Sequence, residues 1–425
     1  AAAIFSLAAR YTTMAGEWLI GGCEAKVFAW AIVLVAWGEA VRGRWAFAWL
    51  LSGVATAFHP LVGGWMMILI GLIAISQIVR KQTRIGSFHP LVLACVTGGV
   101  CLASIGLWPA LQISIGVSAG VRNQAAAVYV VDRLPHHLLP RSFHEVLVAR
   151  HLLAIMFCGC LYAALPYEAK RSRGLMIVLA AALLSSVGFV MSLFESLAPS
   201  FVYGMLRFYW FRLADGLLPL GLCVLLTQFL LSRKLLESSD QQTLRKTCLV
   251  AVVLAFFTYD SFVQSKHWPL LTEDCLSRGD KLIDANSWVD VCQWIQEETS
   301  PTDCFLTPRG ASSFLWRAQR PEVVAWKNVP QDPVSILEWR QRIIDCFSYD
   351  GTIKNMARST CVLGVSRLNQ VADAYGANFV VAPLKSFVAM PRPPKTSYRN
   401  SNYVVIKLPI QEQHVNDQTR GVPTN

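Results

Sequence analysis

Apolar runs of membrane-spanning length, separated by short polar or glycine- and proline-rich stretches, fill roughly the first 265 positions of the chain. A helix crossing the hydrocarbon core needs about 20 apolar residues, fewer where it shares the core with other helices. On that scale the pattern predicts eight spans, near 27–41, 45–58, 60–79, 90–118, 151–166, 174–194, 216–231 and 247–260. Beyond 265 the pattern changes. Apolar positions recur at helical spacing in SWVDVCQWIQEET (287–299) and DPVSILEWRQRIIDCF (332–347). CFLT, EVVAW, NFVVA and NYVVIKL are short β-rich runs bounded by Pro, Gly and Asn. Asn286 and the Asp332–Pro333 pair supply helix-start chemistry. The expected fold is an α-helical polytopic membrane domain (1–265) with about eight spans, a small α/β domain (266–410) and a polar tail (411–425). The chain opens at Ala1 without an initiator Met or a signal-peptide pattern, and reads as part of a longer protein with further helices upstream.

Composition agrees with that division, because only 15% of residues are charged where a soluble chain carries about 25%. The net charge of +11 is explained by loops. Alternate loops hold twelve basic residues: Arg42, Arg44, Arg80, Lys81, Arg84, Lys170, Arg171, Arg173, Arg233, Lys234, Arg245 and Lys246. The opposite set holds seven, Lys26, Arg122, Arg133, Arg141, Arg150, Arg207 and Arg212. The richer set is expected to face the cytoplasm, which puts the C-terminal domain outside. With the basic excess so placed there is no basic stripe for nucleic acid. The 12 cysteines lack zinc spacing, and Cys275, Cys292, Cys304, Cys346 and Cys361 of the C-terminal part are the candidates for one or two disulfides.

Four unusual segments then share the outer face: GGCEAK (21–26), FHPLVGGW (58–65), RLPHHLLPR (133–141) and RFYWFRLADG (207–216). FHPL recurs at 88–91, one span away and so on the opposite side, where His89-Pro90 reads as a helix start. His59 has the same structural reading, but Gly63 and Gly64 behind it also permit close approach of a helix or a ligand. His136 and His137 lack a third ligand at metal spacing, since HEVLVARH does not give H-E-x-x-H. Two readings stay open for them. Either the prolines fix a plain turn, or Arg133 and Arg141 hold phosphate oxygens beside a titrating imidazole. Phe208 to Phe211 suit the headgroup level, while Arg212 and Asp215 stand three apart at the mouth of a span. Glu24 and Lys26 precede a span, and Lys26 either snorkels or meets a lipid phosphate. In the tail, Trp326 and Lys327 leave the end of a predicted strand, where α/β sheets place ligands, though buried structural tryptophans serve as well.

The runs GGCEAKVFAW, TAFHPLVGGW, RLPHHLLP, FRLADGLLPLG and WIQEETSPTDCFLTP…VVAWKNVP…EWRQR together resemble the GT-C class of polytopic membrane glycosyltransferases, closest to bacterial integral membrane proteins related to them. The resemblance covers most of 20–385. It implies an inverting transfer of a sugar from a polyprenyl-phosphate donor to an acceptor on the extracytoplasmic face of a bacterial inner membrane. Glu24 or Asp215 is then expected as base or metal ligand, and His136 and His137 as phosphate binders or proton carriers. Lys26, His59, Arg133, Arg141, Arg207, Arg212, Trp326 and Lys327 are expected to bind substrate. The residues themselves name no cofactor; the resemblance allows a divalent metal. A non-catalytic lipid- or glycan-binding protein and a transporter are the alternatives, the latter requiring ionisable residues inside spans.

Overall fold

The computed structural model describes residues 1–16, 19, 23–80, 90–165, 173–231, 239–265, 285–390 and 393–410. Lys81, Arg84, His89, Lys170, Arg171, Arg233, Lys234, Cys275 and the polar tail lie outside those residues. The chain divides into two compact units, Ala1–Ser261 with Asp332–Val334, and Phe262–Gln331 with Ser335–Asn425.

The first unit is helical. Its elements are α1 (Ala2–Tyr11), α2 (Ala25–Val41), α3 (Trp45–Phe58), α4 (Pro60–Val79), α5 (Pro90–Gln112), α6 (Ala119–Ala127) and α7 (Pro135–Leu138). They continue as α8 (Glu145–Ala164), α9 (Arg173–Ser192), α10 (Pro199–Leu206), α11 (Arg212–Leu231) and α12 (Ser239–Ser265). A π-helical turn, Val128–Arg133, joins α6 to α7.

Among the described residues five helices, α4, α5, α8, α9 and Arg212–Phe229 of α11, have the length and hydropathy to cross a membrane. The sequence pattern predicts eight, and among the described residues length and hydropathy mark these five. Trp45–Phe58 and Val250–Ser265 are apolar but shorter, and α2 carries Glu39, which Arg42 and Arg44 hold at 2.6 and 3.2 Å.

The boundaries follow local chemistry. His59, extended at φ −149°, places Pro60 in the first turn of α4 and accepts the Val62 N–H on Nδ1 at 3.3 Å. His144 caps α8 in the same way, so the helix starts six residues before the predicted span and His151 falls inside it. The predicted span 90–118 stops at Gln112. Gly116 at φ +78° breaks the helix, and Ser118 caps α6 by accepting the Val121 N–H.

Burial ranks the spans. The α11 window is 61% buried, whereas those of α5 and α8 are 17% buried, so α11 lies at the centre and the other two present apolar faces outward. Leu213 and Leu217 of α11 share a core with Trp30, Val33, Ile70 and Ile177. Gly216 admits the Trp30 ring: a Cβ there would lie 2.0 Å from it. At Gly53 a Cβ would stand 2.2 Å from the Gly99 carbonyl oxygen, so α3 and α5 touch backbone to backbone. Such contacts hold helices together in lipid, where apolar burial between helices contributes little.

The second unit contains α13 (Ala285–Glu298), α14 (Phe314–Ala318), α15 (Pro333–Phe347), α16 (Val365–Tyr375) and α17 (Leu384–Val388). With them are β1 (Phe305–Leu306), β2 (Phe379–Pro383), β3 (Tyr398–Arg399) and β4 (Tyr403–Lys407). Sheet order is β1-β2-β4-β3; β1 runs parallel to β2, and the other pairs are antiparallel. Trp288, Val291, Cys292 and Ile295 form one face of α13 and pack on Phe305, Phe314, Val381 and Val405. Helix α13 begins at Ala285, so Asn286 lies within its first turn rather than capping it. EVVAW is not a strand. Glu322 makes a single bridge to Phe305, because β1 is too short to extend the pairing. Every described cysteine is a free thiol.

The close α3–α5 contact yields a prediction. Gly53→Ala destabilises the detergent-solubilised chain by about 1–3 kcal/mol, as overpacking does elsewhere. Gly64→Ala, where a Cβ meets open space, leaves the melting temperature unchanged or slightly raised.

Candidate functional site

The segment Thr12–Gly16, between α1 and α2, organises one end of the helical unit. Thr12, Thr13, Met14 and Ala15 are buried although no regular element contains them. Buried backbone must find partners, and here side chains from other helices provide them. Asp215, fully buried in the first turn of α11, accepts the Met14 N–H at 2.7 Å and the Ala15 N–H at 3.1 Å. His151 of α8 bonds the Thr12 carbonyl through Nδ1 at 2.7 Å, with Asp215 Oδ1 3.8 Å away. His137 of α7 bonds the Ala15 carbonyl through Nδ1. A carbonyl only accepts, so both rings carry a proton on Nδ1.

One turn before Asp215, the Arg212 guanidinium lies over the Tyr209 ring, 3.8 Å from its centre, and reaches His59 Nε2 at 3.3 Å. Since His59 Nδ1 faces the Val62 N–H, its ring sits between two donors, and its one lone pair serves one at a time. Trp65, the last residue of FHPLVGGW, donates to the Phe208 carbonyl at 2.7 Å and packs on Trp210 at 4.7 Å. The starts of α4 and α11, the second turn of α8 and the end of α1 therefore meet here.

Tyr209 and Tyr129 add a second layer, with hydroxyl oxygens 3.2 Å apart. Both occupy unusual backbone. Tyr209 has φ +56°, rare and costly for a bulky side chain, and Tyr129 lies in the π-helical turn. Arg133 lies within electrostatic reach of both tyrosines and Arg207 of Tyr129. Burial lowers the pKa of both guanidinium groups, which means that charge at these positions is costly and that an anion beside it would be stabilising. Arg212 covers the face of the Tyr209 ring, so each tyrosine has at least one arginine within electrostatic reach.

Three sequence segments thus meet: FHPLVGGW, RLPHHLLPR and RFYWFRLADG. Other expected residues are placed differently. Asp215, expected as base or metal ligand, is fully buried and accepts a backbone amide on each of its oxygens. Arg141 binds Glu195 through two bonds of 2.9 Å, joined by the Tyr203 hydroxyl at 2.7 Å; this pairing holds Glu195 below the usual carboxylate range. Glu24 and Lys26 form an ion pair of 3.3 Å at the start of α2, with the Glu24 side chain 56% exposed. His136 is exposed and packs at a tilt against His137, centroids 4.0 Å apart. Among the described residues no three His, Cys, Asp or Glu side chains are grouped to hold a metal ion. The resemblance-implied divalent metal therefore has no matching ligand set there.

Trp326 and Lys327 belong to the second unit and, without a strand at EVVAW, do not stand at a strand end. The Trp326 ring packs on Trp339 at 5.4 Å, with Arg309 5.8 Å above it, while Lys327 is exposed. Nearby Glu322 accepts from Asn328 at 2.7 Å and from Thr307 at 3.2 Å.

Sequence reasoning missed the Thr12–Gly16 segment and Tyr129. The former sits ahead of the first strongly apolar run, and its signal was the compact TTMAG itself, small and glycine-terminated.

A family model described as a domain of unknown function (DUF6798) matches residues 286–346, from α13 to the end of α15. No curated protein matches the chain.

Two predictions follow from this geometry. Asp215→Asn replaces an acceptor facing the Met14 amide by an NH2 group in one orientation, or weakens two charge-assisted bonds in the other. Stability should fall by about 1.5–3 kcal/mol, read as a lower melting temperature. In the second unit, burial raises the Glu322 pKa, so this group favours the folded state below the ordinary carboxylate range and loses that contribution as pH climbs through its raised value. Resistance of the second unit to proteolysis should therefore decline over that window in the wild type, and Glu322→Gln should flatten the decline.

Proposed function

We propose that the first unit binds the phosphate of a polyprenyl-phosphate-linked sugar at the Arg133, Arg207 and Arg212 cluster and transfers the sugar to an acceptor on the extracytoplasmic face. The observation that carries this reading is the pair of half-buried guanidinium groups, Arg133 and Arg207, within electrostatic reach of Tyr129, whose hydroxyl meets that of Tyr209 beneath Arg212. Guanidinium groups and phenolic hydroxyls are suited to phosphoryl oxygens, and apolar helix faces suit a prenyl chain. In the transfer, the arginines would stabilise charge growing on the departing phosphate. The second unit contributes an exposed, tryptophan-bearing surface of its own and is not required for phosphate binding.

A second reading has one observation in its favour: His151 and Asp215 lie inside spanning helices, and Asp260 of α12 is buried against Arg10 and Tyr11. Ionisable groups at such depth also occur in transporters.

The test uses the full chain in liposomes with a radiolabelled polyprenyl-phosphate sugar. The double variant Arg133→Ala/Arg207→Ala should bind the donor at least about tenfold more weakly, the loss expected for charge-assisted bonds. Donor binding without sugar release from the lipid would favour a non-catalytic lipid-binding protein. Unchanged affinity in the double variant, or no donor binding by the wild type, would overturn the reading.

A further inference from the structure

Sugar transfer to a hydroxyl needs a proton acceptor, and Asp215 is committed to the backbone of Met14 and Ala15. His137 is the best-defined alternative. Its Nδ1 donates to the Ala15 carbonyl, which leaves Nε2 as the ring atom with the lone pair. The ring is held on several sides. It packs against the tilted ring of His136, centroids 4.0 Å apart, and its Nδ1–Cε1 edge runs beside Gly16, where a built Cβ would lie 3.9 and 3.8 Å from those two atoms. Gly16 itself has φ +68°, a conformation glycine adopts freely. Ala15, whose carbonyl accepts the His137 Nδ1–H bond, donates its own N–H to Asp215. The carboxylate thus fixes the loop, and the loop fixes the imidazole. His137 is also only four residues beyond Arg133, on the short helical turn that continues the π-helical segment carrying Tyr129.

We propose that His137 Nε2 accepts the proton of the acceptor hydroxyl in the transfer and that Asp215 is a positioning residue acting through Ala15; this rests on the sugar-transfer reading above. In the step, the hydroxyl oxygen forms a bond to the anomeric carbon while its proton moves to Nε2. The bond from the anomeric carbon to the phosphate oxygen breaks, and that oxygen leaves with the electron pair beside the arginines. His137 then returns the proton to solvent through its half-buried position next to exposed His136. The charged and titratable groups around it are His136 on the same turn, Arg133 before it, and Asp215 and His151 across the loop from α11 and α8.

The test measures release of polyprenyl phosphate from a radiolabelled polyprenyl-phosphate sugar, by the full chain in membranes of an expressing cell that supply acceptor, across pH 5 to 9 (about the range in which imidazole titrates). Donor binding is measured in parallel. The wild type should lose turnover on the acid side. His137→Gln should keep donor binding within about twofold while turnover falls at least about 100-fold and the acid limb disappears, as for loss of a general base. Asp215→Glu should restore part of the activity that Asp215→Asn loses, with the acid limb retained. An acid limb that survives in His137→Gln at near-wild-type turnover would overturn the assignment of the base while leaving sugar transfer intact. A wild type that binds donor but releases no polyprenyl phosphate would overturn sugar transfer and the base with it.

Discussion

A single buried carboxylate, Asp215, holds the charged end of the helical unit together. Removing an ion from water costs several kcal/mol unless good partners replace the solvent. Asp215 meets that cost with two backbone amides and with its position in the first turn of α11, where the helix dipole favours negative charge. The consequence extends beyond the pair of bonds. Because Met14 and Ala15 are fixed, their carbonyl neighbours can receive the two Nδ1 protons of His137 and His151, and three helices are tied to one loop that has no regular structure of its own.

The same end of the unit stores unusual backbone. Tyr209 in a left-handed conformation and Tyr129 in a π-helical turn bring two phenolic hydroxyls within 3.2 Å, with Arg212 over the Tyr209 ring and Arg133 and Arg207 within electrostatic reach. Strained backbone persists where the surroundings over-determine it, and such places concentrate at functional sites. The packing that permits it lies deeper, at glycines such as Gly53 and Gly216, where helices or rings approach too closely for any Cβ.

Sequence periodicity revealed the helical character of the first unit and both long amphipathic helices of the second, because α13 and α15 bury one stripe each. It misplaced boundaries because hydropathy alone does not register capping: His144 starts α8 early, and Gly116 with Ser118 ends α5 before the apolar run is exhausted. The site was legible in its unusual residues. His59, Arg212 and His137 stood out from apolar surroundings as groups whose burial requires a reason. Their partners were less visible. Thr12–Gly16 contributes its backbone and leaves only the compact TTMAG as a trace in the sequence, and the two amides that Asp215 accepts belong to that segment, two hundred residues away. EVVAW had the composition of a strand, but β1 offers only two residues for pairing.

The central claim is that this end of the membrane unit is a phosphate site. A structure of the full chain bound to polyprenyl phosphate would test it most directly. The account predicts the phosphorus within about 4 Å of nitrogen atoms from at least two of Arg133, Arg207 and Arg212, a distance typical of guanidinium–phosphate pairing. A phosphate group bound elsewhere, with these three arginines unmoved and remote from it, would contradict the account.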